Sequence, residues 1–355
     1  MTNRADARDG PNGPSRRSAL ETPLTDRDDV TLRSEVRDWG SLDGDRADTW
    51  RNSVYAWRDY IRDKDGMSAV FENVDGDRVK GSDPHRFDPE YADKQYAKLK
   101  DLERGVRNEY GQLLHTAMLT FTAASTDEAG DPLPPVDHLD ELLSSWNAIR
   151  RELDRVLGGH QYERLAILEP HKSGYIHVHM AVFVQGVIDR ETFAPVIDAH
   201  VRNCDLAGRD AHDTGDRSTI SVKRVGNERQ ENEEIANLGT YLAEYLGTYG
   251  DGEGPLDAPE HVQMSNAILW ADERQRWRPS NGAQEFMAYD GPDDPEVSDW
   301  ELVGIEDGDG EFYEVSQENP GGVDRFTTST VGDDPPGRVP DWASGSGRRE
   351  DWRPE

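Results

Sequence analysis

Two histidines stand two residues apart in the run GYIHVHMAVFV, residues 174–184. Residues i and i+2 of a strand point to the same face, so His177 and His179 project together from one side of a sheet. The plain structural reading is a pair of strand histidines bonded to their neighbours. The sharper reading is a metal pair, and Glu169 favours it. Glu169 ends the apolar run ERLAILEP (163–170), which the short stretch PHKSGY joins to the histidine strand. An antiparallel hairpin then brings the carboxylate beside the imidazoles. Two neutral nitrogens and one carboxylate, with positions left for water and substrate, suit Mg2+ or Mn2+ at a phosphate.

Downstream, TYLAEYLGTYG carries Tyr241, Tyr245 and Tyr249. Spacings of four put three phenols on one helix face. Such a stripe commonly fills a core. The chemical alternative is a phenol oxygen poised as a nucleophile toward a metal-held phosphate.

The elements that must position these groups alternate along the centre of the chain. TAMLTFTAAS (116–125) reads as a strand, and residues 135–157 as an amphipathic helix with Asp137 as its N-cap. The two strands of the hairpin follow. Residues 189–204 return to helix, STISVKRVG (218–226) to strand, and 232–250 to a helix closed by glycine. The order predicts an α+β fold: an antiparallel sheet of four or more strands with helices on one side, of the ferredoxin-like, split βαβ kind. Residues 91–114 predict a further helix and 48–66 a short amphipathic one. We expect a largely disordered acidic region over 1–85 holding that short helix, a chemical domain over 86–250, an extension over 251–290 and an acidic tail over 291–355.

Charge sets the setting. Seventy-two acids face forty bases, of which only seven are lysine, for a net charge of −32. Acid spread along the whole chain, with little lysine, keeps a protein hydrated where molar salt screens its repulsion. That points to a halophile's cytoplasm, and net charge there does not argue against DNA binding. No run is apolar enough to span a membrane, and the opening residues lack the apolar core of a secretory signal. Cys204 is the lone cysteine, which excludes an intrachain disulfide and a cysteine-rich zinc site.

Glu169 and HVH on a hairpin, followed by a Y-x-x-x-Y helix, resemble the HUH endonucleases. More narrowly they resemble the rolling-circle replication initiators (Rep) of small plasmids and viruses, those of haloarchaea included. The family's first motif, of the FLTLT type, is matched by MLTFT (118–122), its second by His177-Val178-His179, and its third by residues 241–248. The resemblance covers roughly residues 115–250. It departs where the family often carries lysine, at Glu244 and Thr248; Lys223 and Arg224 are candidates to supply that charge.

The resemblance implies nicking of single-stranded or extruded origin DNA. A tyrosine oxygen forms a 5′-phosphotyrosine, frees a 3′-OH that primes synthesis, and the strand is later rejoined. By resemblance Tyr245 initiates and Tyr241 acts at termination, with the metal on His177, His179 and Glu169. DNA would be held by Arg217, Lys223, Arg224, Arg229 and the 270–278 segment, where arginines interleave with Trp270 and Trp277. Host helicase and polymerase would be partners. An HUH transposase or relaxase would use the same site, and a DNA-binding protein without catalysis is a third reading. A histidine-triad nucleotide hydrolase needs a further histidine where Ala181 stands.

Overall fold

The computed structural model describes residues 18–38, 49–82, 85–216, 218–225, 254–287 and 300–314. In chain order the elements are α1 (Ser34–Asp38), α2 (Trp50–Lys64), β1 (Ser68–Asn73), β2 (Arg78–Ser82), α3 (Pro89–Tyr110) and β3 (Leu114–Phe121). Next come α4 (Pro135–Ser144), α5 (Trp146–Val156), β4 (Gln161–Pro170), β5 (Ile176–Gln185), α6 (Arg190–Asn203) and β6 (Ile220–Arg224). The last are α7 (Glu260–Ala271), β7 (Trp277–Pro279), α8 (Asn281–Phe286), β8 (Trp300–Glu306) and β9 (Phe312–Glu314).

The histidine strand β5 lies at the centre of a five-stranded antiparallel sheet of order β6-β3-β5-β4-β7. A central strand covered on both faces is apolar on both where it is covered, and β5 is so from Met180 to Val184, the two histidines standing at its more open end. Val178, Met180, Val182 and Val184 pack one way with α2, α4, α5, α6 and α7. Ala181 and Phe183 pack the other way with Leu99, Leu102 and Val106 of α3 and Ala283 of α8. The α+β sheet expected from the sequence is therefore present, but helices lie on both faces rather than one. Leu99, Leu102 and Val106 form an apolar stripe that would otherwise face water. The single helix expected over 135–157 is two, broken at Ser145, and Asp137 does not cap it. Its carboxylate instead accepts from Thr25 Oγ1 at 2.5 Å and Asp26 N at 2.8 Å.

Two regions expected to lie outside the core belong to it. Within 1–85, Trp50, Trp57 and Ile61 of α2 are fully buried, and Trp50 Nε1 donates to the Met264 carbonyl of α7 at 3.0 Å. An aromatic stripe on a short helix needs a partner, and α7 supplies it. Within 251–290, β7 pairs with β4 as the edge strand of the main sheet. A second sheet, β2-β1-β8-β9, joins a hairpin near the start of the described chain to one near its end, with a bulge between Val70 and Phe71. Among the described residues no helix is long and apolar enough to cross a membrane.

Candidate metal centre

Strands β4 and β5 form a hairpin whose register places Glu169 directly opposite His177 and Ile167 opposite His179. Directly opposed residues share a face with Cβ atoms about 5 Å apart, so the three chemical side chains meet on the α3 side of the sheet. Glu169 Oε2 lies 2.6 Å from His179 Nε2 and 3.3 Å from His177 Nε2, and the two Nε2 atoms are 3.1 Å apart. Glu169 is buried at 7% exposure, while the imidazoles are half-buried and border solvent.

The turn that closes the hairpin is held from two sides. Gly174 adopts φ +86°, and a Cβ there would come within 3.0 Å of the Met264 Cβ. Ser265 Oγ of α7 donates to the Gly174 carbonyl at 2.7 Å, and Tyr175 Oη donates to the Leu133 carbonyl at 2.6 Å. Helix α7 thus fixes the end of the hairpin that carries the three groups.

The donor set fits a divalent cation. Burial alone would raise the Glu169 carboxyl, but the facing imidazoles of His177 and His179 outweigh it and hold it at about 2, an ionised carboxylate. The contacts are short, but the one well-formed hydrogen bond within the trio joins the two Nε2 atoms, and buried Oε2 is approached by both rings without a well-aligned N–H. A carboxylate oxygen and two imidazole nitrogens that converge this closely on one point are what a cation site presents. Behind them Thr120 Oγ1 of β3 lies 3.0 Å from His179 Nδ1. If Nδ1 donates to that hydroxyl, Nε2 keeps its lone pair for a metal. Among the described residues this trio is the one group of His, Cys, Asp or Glu with such convergence.

The other residues singled out from the sequence fall differently. Trp277 shares the histidine face: it pairs with Ile167, which pairs with His179, so it stands two strands across, ~10 Å away. Lys223 is on the same face but pairs with Thr116, four residues up β3 from Thr120. That puts the backbones of Lys223 and His179 ~16 Å apart by strand geometry. Arg224 is exposed and points to the opposite side. Trp270 is fully buried and Arg274 is paired with Asp272 and Asp140, so these two members of the 270–278 segment are core, not a stacking surface. Tyr241, Tyr245, Tyr249, Arg217 and Arg229 lie outside the described residues. Sequence reasoning missed the part of Thr120 in backing His179. Its signal was available: it occupies the strand position of MLTFT that alternates with Leu119 and Phe121 onto the histidine face.

Residues 24–337 match the family described as "Putative rep protein (DUF1424)". The chain is also 43% identical over 305 residues to an "Uncharacterized 36 kDa protein" of Halobacterium salinarum, an alignment covering 84% of this chain and 95% of that one. A second "Uncharacterized 36 kDa protein", from Halobacterium sp. (strain GN101), is 44% identical over 276 residues, covering 74% of this chain and 83% of its own. No solved structure matches. With nearly the whole chain inside the family's match and both relatives aligned over most of their length, the protein belongs to this rep protein family.

Proposed function

We propose that the chain is a rolling-circle replication initiator of the HUH type, a metal-dependent endonuclease and strand transferase acting on single-stranded or extruded origin DNA. The observation that carries this reading is the convergence of Glu169, His177 and His179 at a hairpin end on a sheet face, within a chain of a rep protein family. Glu169, His177 and His179 would hold Mg2+ or Mn2+, which when bound polarises a non-bridging phosphate oxygen and stabilises the charge that builds on it. Thr120 keeps the His179 ring oriented. Trp277, across the same face, offers a ring on which an unpaired base can stack.

The bond chemistry is assigned to the tyrosines by the sequence pattern. The Tyr245 phenol oxygen attacks phosphorus and loses its proton, and the P–O3′ bond breaks. The departing 3′ oxygen takes up a proton, leaving a 5′-phosphotyrosine and a primer end. Because the phosphodiester energy is kept in the covalent link, rejoining through Tyr241 requires no nucleotide hydrolysis. Host helicase and polymerase would extend the freed 3′ end. The test is cleavage of single-stranded origin DNA followed by mass spectrometry of the adduct peptide. Tyr245→Phe should abolish the covalent adduct, Tyr241→Phe should form it without completing transfer, and EDTA should stop both. Activity that persists in EDTA, or a nucleotide on another residue, refutes the assignment.

A further inference from the structure

A second cluster of unusual chemistry lies on the other face of the same sheet. Arg164 of β4 points to the α5 side, opposite Val182, and Arg278 of β7 pairs with Ala166, two residues on. The two arginines are therefore diagonal neighbours on one face. The Arg164 guanidinium lies over the buried Trp146 ring, its carbon 5.4 Å from the centroid. Arg150 follows Trp146 by one turn of α5 and so falls on the same side.

Three guanidinium groups in one half-buried place repel one another. Burial, then Arg164 and Arg150, push Arg278 down to about 10, and burial followed by Arg150 lowers Arg164 as well. Two acids stand near Arg164, but both are engaged elsewhere. Asp154 accepts from the Tyr162 hydroxyl, and Glu163 accepts from Ser280 at the start of α8. The telling atom is Arg164 Nη1, which is buried without any hydrogen-bond partner. A buried cationic N–H left unmet is costly, and so rare in folded chains that it calls for an acceptor from outside.

We propose that Arg150, Arg164 and Arg278 form a binding site for a phosphate group, with Nη1 of Arg164 as its innermost donor. Stacking on Trp146 holds the Arg164 fork in one plane, the arrangement that grips a tetrahedral oxyanion through paired N–H groups. The site is separate from the metal centre: Arg164 and Glu169 are five residues apart on β4 and face opposite ways. Free phosphate and the phosphate of a nucleic-acid backbone share this chemistry.

The experiment uses the full chain in constant KCl of about 2 M, where general charge effects are screened. In one arm potassium phosphate is titrated over the millimolar range while melting is followed. Wild type should show a saturable rise of ~3 °C, and Arg278→Gln and Arg164→Gln should show none. Arg150→Gln, which removes one of three like charges, should leave the phosphate-free melting temperature equal or higher, which a purely structural arginine would not do. Should Arg164→Gln fail to fold, Arg278→Gln and Arg150→Gln decide the matter. In the other arm a short single-stranded oligonucleotide is bound at several salt concentrations. A backbone source is assigned if Arg278→Gln weakens binding ~10-fold and lowers the salt slope by ~1. A phosphate response with unchanged DNA affinity assigns free phosphate instead. The site is overturned if wild type shows no saturable phosphate response and the variants bind DNA like wild type, or if the variants respond to phosphate as wild type does. Absence of DNA binding by wild type would count against the proposed function while leaving the phosphate arm to decide this site.

Discussion

Replacing Glu169 with glutamine separates packing from ligation. The side chain keeps its size in a nearly buried position, so only the charge is lost. In the ligand-free protein the amide loses the charge that the imidazole nitrogens 2.6 and 3.3 Å away favour, so the variant should start from a lower melting temperature and each protein is compared with its own metal-free baseline. With metal the two proteins should diverge. A cation present at a hundred times its dissociation constant stabilises the wild type by ~2.7 kcal/mol, or ~4 °C in melting temperature for a chain of this size. Glu169 is the trio's only anionic ligand. If its loss weakens affinity ~100-fold, the variant sits near its own dissociation constant, gains ~0.4 kcal/mol and rises by ~0.5 °C. The assay is melting followed by circular dichroism in constant molar KCl, with Mn2+ titrated from an EDTA baseline. An equal rise in both proteins would refute the metal centre, because stabilisation would then come from somewhere other than this trio.

Three further outcomes are expected. Thr120→Val removes the hydroxyl 3.0 Å from His179 Nδ1 and should weaken Mn2+ binding ~10- to 100-fold while leaving the fold intact, measured by the same titration. His138 and His200 are buried, and burial holds each down to about 4. Above an unfolded value of about 6.5 both states are neutral, and as pH falls from there toward 4 the unfolded chain takes up protons first. Each histidine then costs up to ~3 kcal/mol of stability over that window, and a melting temperature unchanged between pH 7.5 and 5 at constant salt would contradict this. Finally, the net charge of −32 should make folding depend on roughly molar KCl, where the Debye length is near 3 Å. A melting temperature independent of salt would remove the halophilic reading of the composition.

How much of this was legible beforehand depends on whether a feature is local. The H-x-H spacing, the proline that ends β4 and the short turn were enough to bring Glu169 to the histidines, because a hairpin's register follows from its turn. The helices 50–64, 89–110 and 190–203 were likewise readable from their apolar spacing. Long-range partners were not. Strand β7 has three residues, too few for any period, and it exists because β4 offers an edge. The hairpin β1–β2 carries a local signal of its own, Asp75-Gly76 between two strand-forming runs, with Gly76 at φ +83°. That β8 then pairs with β1 could not be read from either segment alone.

The same distinction governs the functional residues. Lys223 was attractive because it precedes the tyrosine segment by a short stretch of chain. Nearness in sequence says nothing about position along a neighbouring strand, and the register sets its backbone ~16 Å from that of His179. Trp277 lies far beyond β5 in the chain, yet stands across the sheet from His179 on the same face. Arg164 shows the point most sharply, since it is an ordinary polar position within the β4 strand pattern. Only when β7 and α5 have been placed around it does an arginine in an apolar strand become a buried donor with nothing to bind. In this chain the chemistry written into one hairpin can be read directly. The chemistry that needs three elements to meet appears only once the sheet edges have found their partners.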